Sequence, residues 1–76
     1  MVSGAVTATI KSPMPGTVLS FKVNVGQSVK RGDVLLILEA MKMENEIVAP
    51  QAGIIAALKV PAGSSVNTGE PLVDLS

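Results

Sequence analysis

The chain has 76 residues, with no cysteine, no histidine and a single aromatic, Phe21. Six basic and six acidic residues cancel and the pI is near 6.1, so there is neither the basic footprint nor the stacking platforms that nucleic-acid binding needs. With no cysteine or histidine there are no disulfide staples or zinc ligands, and with no convincing carboxylate constellation either, an autonomous enzyme is a poor reading.

A chain this short is one domain at most and buries only about 60% of its unfolded surface, so a regular β-core is the expected support. No apolar run approaches the ~20 residues of a membrane span, and no window has the form of a secretory signal. Direct membrane insertion is not expected, and a cytoplasmic location is.

In chain order, residues 1–5 are small and featureless and are expected to be a linker or a cut remnant, with the domain running from 6 to 76. Val6-Thr7-Ala8-Thr9-Ile10 is β-branched and alternating, as a strand requires. Ser12-Pro13-Met14-Pro15-Gly16 stops it, because two prolines fix φ and remove ladder donors, and a corner is expected there. Thr17 to Val25 resumes as a strand ended by Gly26, and Lys30-Arg31-Gly32-Asp33 reads as a polar turn. The apolar run Val34-Leu35-Leu36-Ile37-Leu38 and the alternating run Glu44-Asn45-Glu46-Ile47-Val48 then flank Ala40-Met41-Lys42-Met43, which reads as a hairpin tip. Ile54-Ile55-Ala56-Ala57-Leu58 follows a glycine and ends near Val60-Pro61, so it reads as a buried strand rather than a helix.

The second half repeats the first at one offset. Gly53 − Gly16, Gly63 − Gly26, Gly69 − Gly32, Pro50 − Pro13, Lys59 − Lys22, Val66 − Val29, Leu72 − Leu35 and Leu75 − Leu38 all give 37. Each half is then one supersecondary unit whose apolar face the other covers, which predicts a closed, pseudo-twofold β-sandwich. Ala40, Met41 and Lys42 fall at the crossover between halves, and the positions equivalent to Lys42 fall near the two ends of the chain. The lysine and the termini are therefore expected at opposite poles. If the tip has two central residues, Met41 and Lys42 need positive φ. Leu36 or Leu38, Ile37, Val29, Val66 and Leu72 are the expected core.

Glu39-Ala40-Met41-Lys42-Met43-Glu44, with Ile47 and Ala49-Pro50 after it and the Ser12–Gly16 corner before it, resembles the biotinyl carrier domain of biotin-dependent carboxylases and decarboxylases. The resemblance covers nearly the whole chain. It implies an all-β barrel-sandwich hybrid, a flattened barrel of two four-stranded antiparallel sheets with the lysine on a hairpin turn. The constant offset leaves no room for the protruding thumb of bacterial acetyl-CoA carboxylase carriers, so the thumbless type is the better match.

The resemblance also implies that Lys42 carries biotin in amide linkage and that Ala40, Met41 and Met43 help a biotin protein ligase recognise the turn. The implied partners are that ligase, a biotin carboxylase or decarboxylase subunit, and a carboxyltransferase subunit between which the carboxyl group is shuttled. A lysine suits this work: its stem is long and flexible, and acylation removes a charge that is costly to bring into an apolar pocket. Soft methionine side chains suit contact with a partner surface. Glu39, Glu44 and Glu46 could add to docking, whereas Lys11, Lys22, Lys30 and Lys59 read as surface charges. Two other readings share the fold. A lipoyl carrier also modifies a hairpin lysine but usually sets an acidic residue and an alanine beside it, and an unmodified adaptor module lacks the lysine.

Overall fold

A computed structural model of the chain describes residues 6–76, and the expected linker 1–5 lies outside the described residues. Eight strands follow one another: β1 Ala8–Lys11, β2 Gly16–Phe21, β3 Ser28–Val29, β4 Val34–Ala40, β5 Met43–Val48, β6 Gly53–Leu58, β7 Ser65–Val66 and β8 Pro71–Leu75. They pair antiparallel in two four-stranded sheets, ordered β1-β8-β6-β3 and β5-β4-β2-β7. The expected flattened barrel-sandwich is the observed fold. No helix among the described residues is long and apolar enough to cross a membrane.

The repeat is written into the hydrogen bonds. Gly26 N–H donates to Ile55 O and Gly63 N–H to Val18 O; Lys22 N–H donates to Leu35 O and Lys59 N–H to Leu72 O; Gly32 N–H donates to Ala49 O and Gly69 N–H to Ser12 O. In each of these pairs both donor and acceptor map onto their counterparts by the same offset. Even the side-chain turn closures correspond, with Lys30 N–H donating to Asp33 Oδ2 at 2.8 Å and Asn67 N–H to Glu70 Oε1 at 3.0 Å.

The halves do not stack as two separate sheets. Each sheet takes two strands from each half, β1 and β3 with β6 and β8 in one, β2 and β4 with β5 and β7 in the other. Neither half has a closed ladder of its own, so the two must fold together.

The same register shows what the ends of the chain do. Ala8 pairs with Leu75, Thr9 with Asp74 and Ile10 with Val73, just as Asn45 pairs with Leu38, Glu46 with Ile37 and Ile47 with Leu36. The β1–β8 pair is thus the β4–β5 hairpin without its turn.

The core is aliphatic and continuous, with Val18, Leu35, Leu36, Leu38, Leu72, Val73 and Leu75 fully buried and Val29 and Val66 nearly so. Strict alternation would bury only one of Leu35 and Leu36. Both are buried because the β4 ladder slips between Val34 and Leu36, setting Leu35 and Leu36 together opposite Ile47. The matching slip in β8, opposite β1, buries both Leu72 and Val73.

Four expectations need correction. Ile37 is only half-buried, because it falls on the outward side of β4 past that bulge. The strand expected over Thr17–Val25 ends at Phe21, after which Lys22 to Gly26 bends; Val23 is buried as a loop residue and Val25 is exposed. Lys59 is more than a surface charge, since its Nζ lies 3.4 Å from Asp74 Oδ2 while Thr9 Oγ1 donates to Asp74 Oδ1 at 2.9 Å. Asp74 is buried, and these two partners are what make that tolerable. The first strand also starts at Ala8 rather than Val6.

Candidate functional site

Two residues, Met41 and Lys42, connect β4 to β5. Their φ angles are 54° and 66°, and they are the only non-glycine residues with positive φ among those described. Positive φ at both central residues is the mark of a type I′ loop, whose twist matches that of the flanking strands. Nature usually fills it with Asn-Gly. A β-carbon in this region costs roughly 1–2 kcal/mol per residue, so local backbone preference does not account for a Met-Lys tip.

Exposure makes the same point. Met41 is 85% and Met43 63% exposed, far outside the range of core methionines. Lys42 is exposed, and its Nζ makes no hydrogen bond or ion pair with any described residue. A primary amine held clear of the surface, between two soft thioethers, is well placed for acylation by another protein. Met43 opens β5 opposite Ala40, the last residue of β4.

Ala40 takes a different place from the other three residues of the tip. It is only 5% exposed and its methyl group belongs to the core, so it closes the strand rather than offering a contact on the turn. The tip presented to solvent is Met41, Lys42 and Met43. Glu39 and Glu44, both exposed, are register partners just behind the turn, and Glu46 is exposed opposite Ile37. Like charges directly opposite are unfavourable in a ladder.

Asn45 is a member of the site that sequence reasoning passed over. Its Nδ2 donates to Leu38 O and to Met43 O, both at 3.3 Å, and so ties the two strands just below the turn. The clue was an asparagine in a run otherwise patterned for β-structure, where that side chain is disfavoured unless it bonds to nearby backbone.

Elsewhere, a shallow apolar groove of about 420 Å³ lies between Phe21 and Leu58–Ala62. Phe21 and Leu58 are repeat mates, which puts the groove near the dyad, and no hairpin residue lines it. No cluster of three or more potential metal ligands occurs among the described residues.

Comparison with known proteins agrees with this geometry. A curated relative, the gamma subunit of methylmalonyl-CoA decarboxylase from Veillonella parvula, is 66% identical over 41 residues, which are 54% of this chain and 32% of that protein. The biotin carboxyl carrier protein of Streptococcus mutans is 63% identical over 41 residues, again 54% of this chain and 32% of the relative. The match therefore spans about a third of these relatives.

Among solved structures, a single-chain, multi-domain long-chain acyl-CoA carboxylase matches with a TM-score of 0.83 at 33% identity, over 88% of this chain and 7% of that one. The lipoyl domain of the 2-oxoglutarate dehydrogenase complex from Azotobacter vinelandii matches with a TM-score of 0.78 at 31% identity, over 95% of this chain and 96% of that one. The family model described as "Biotin-requiring enzyme" matches residues 8–75, which takes in all eight strands and the Met41-Lys42 turn, and the chain belongs to that biotin/lipoyl family.

Proposed function

We propose that the chain is a biotin carboxyl carrier module, with biotin in amide linkage on Lys42 Nζ. The observation that carries this is the tip itself: an exposed amine, unpaired among the described residues, on a two-residue turn whose strained backbone serves presentation better than stability. The names of the relatives, a decarboxylase gamma subunit and a biotin carboxyl carrier protein, point the same way. They also support a carrying rather than a catalytic role.

The residues present fit the cofactor. Attachment forms one amide bond between Nζ and the carboxyl carbon of biotin, delivered as an activated acyl ester by a biotin protein ligase. The activating group leaves and the amine gives up its proton. A free alkylammonium is a poor nucleophile at neutral pH, which is why a separate ligase must assist. Biotin supplies the ureido nitrogen that takes up and releases the carboxyl group.

What the chain itself supplies is reach and restraint. The lysine stem gives the arm its travel, the rigid ladder below Asn45 fixes its base, and acylation takes the formal charge from 6 − 6 = 0 to 5 − 6 = −1. Met41 and Met43 offer adaptable contacts to the ligase. The proposed stations are a biotin carboxylase or decarboxylase subunit and a carboxyltransferase subunit, each needing only weak docking if the carrier is tethered nearby.

Co-expression with biotin protein ligase and ample biotin, followed by intact mass measurement, tests the reading. One biotinyl increment is expected on the wild type and none on Lys42→Arg. A bare wild-type chain, or labelling at Lys22 or Lys59, overturns it. The similarity to a lipoyl domain supports one second reading, a lipoyl carrier, and the same measurement separates them because the two acyl groups differ in mass.

A further inference from the structure

The pseudo-twofold supplies an internal control. It gives the molecule two outer sheet faces built on equivalent ladders, so any chemical difference between them comes from side chains rather than backbone. The face of the β5-β4-β2-β7 sheet adjoins the Lys42 turn, and the other adjoins the open β1–β8 ends.

The differences are systematic. Glu39, Glu44 and Glu46 all project outward on the hairpin side, at positions whose mates are Ser76, Thr7 and Thr9. Behind them Leu19 is 39% and Val48 44% exposed, where the mates are Ala56 and Lys11. Half-buried Ile37 lies between, its mate being the paired, buried Asp74. The hairpin-side face therefore carries three carboxylates that its counterpart lacks, with Leu19, Ile37 and Val48 behind them; the counterpart has one exposed large aliphatic of its own, Ile54 at 42%, where the mate is Thr17.

None of this serves the fold. Glu39 and Glu44 oppose each other in register, which costs stability, and Leu19 and Val48 leave 39% and 44% of their surface in solvent. The equivalent ladder has Ser76, Thr7 and Thr9 where these carboxylates stand. A surface that carries apolar centre and acidic rim at some cost, continuous with the modified turn, has the anatomy of a docking site.

We infer that this outer face docks the carrier onto the CoA-thioester-binding subunit of its complex, against an apolar patch rimmed by lysine or arginine. The inference rests on the carrier reading above. Charge complementarity selects the occupant. A pocket for a CoA thioester must attract several phosphate charges, so its entrance is basic, and two of the proteins similar to this chain are named as a methylmalonyl-CoA decarboxylase subunit and a long-chain acyl-CoA carboxylase. A second copy of this chain is a poor occupant, because its three carboxylates would face three more.

The test uses carrier already biotinylated on Lys42, offered as substrate to the CoA-thioester-binding subunit of its own complex. The repeat furnishes substitutions that the equivalent backbone positions already hold: Glu39→Ser, Glu44→Thr and Glu46→Thr together, and separately Leu19→Ala with Val48→Lys. Each set is expected to raise the KM for the carrier by roughly tenfold with kcat unchanged, and the triple variant should lose the salt dependence shown by the wild type. Both sets should accept biotin at the wild-type rate.

An unchanged KM at low ionic strength overturns the inference. So does a matching loss in the rate of ligase loading, which would assign the face to the ligase. Failure of the wild type to load at all would instead strike the carrier reading, so the two failures are distinguishable.

Discussion

Gly16 in β2 sits directly beneath the end of β4: a β-carbon on it would lie 2.5 Å from the Glu39 carbonyl oxygen and 3.0 Å from Ala40 Cβ. The first contact is with backbone, which cannot swing aside. Gly16→Ala must therefore push the last residues of β4, and with them the turn that holds Lys42. We expect a loss of about 1–3 kcal/mol in urea unfolding, together with slower biotin loading. Gly53→Ala, the mate, meets Ser76 O at 2.9 Å and should cost comparable stability while leaving the loading rate of the folded fraction unchanged.

Relaxing the turn should trade presentation against stability. Asparagine tolerates positive φ far better than methionine, so Met41→Asn is expected to stabilise the domain by about 0.5–1 kcal/mol. Loading by the ligase should slow at the same time, through the lost thioether contact. Met43→Glu, at an exposed position, should leave the melting temperature nearly unchanged and slow loading more than any effect on folding explains. Matched melting curves and loading rates check both.

The bulge in β4 sets an order of core costs. Leu35→Ala removes a fully buried side chain and should cost on the order of 2–5 kcal/mol, enough to leave a domain of this size largely unfolded. Ile37→Ala, one turn of the pleat away and half-buried, should cost under about 1.5 kcal/mol. Equal losses in denaturant titration would show that the ladder does not slip where the register places it.

Asp74 depends on two unequal partners. Thr9→Val strips its hydrogen bond at 2.9 Å and should cost about 1–2 kcal/mol, because a buried carboxylate oxygen is left unsatisfied. Lys59→Met should cost less, about 0.5 kcal/mol, since the lysine side chain is 44% exposed and largely screened. Added salt should shrink the second loss and leave the first unchanged.

Much of this was legible in the residues. The constant spacing of glycines and prolines placed every strand of one half onto its mate, because corners need the same backbone conformations wherever they recur; Gly26 and Gly63 share φ near 90°, at 92° and 90°. Positive φ at Met41 and Lys42 followed from a two-residue connection between long apolar and alternating runs. What the pattern concealed was anything set by the ladder rather than by alternation. The burial of Leu35 alongside Leu36 depends on a bulge, which inserts a residue without changing composition. The outward turn of Ile37 is the phase of the register that pairs it with Glu46 and buries Leu36 and Leu38, and β2 ends at Phe21, where the chain bends from Lys22 onward. The role of Asn45 and the Lys59–Asp74 pair depended on which strands became neighbours, and interleaving the two halves decided that.

That interleaving fixes how many such turns the molecule can present. Duplication supplied two geometrically interchangeable poles, yet a closed loop can stand at only one of them, since the strands at the other must separate for the polypeptide to pass. On the proposed carrier reading, a single arm per domain is thus a topological outcome of joining the two copies head to tail.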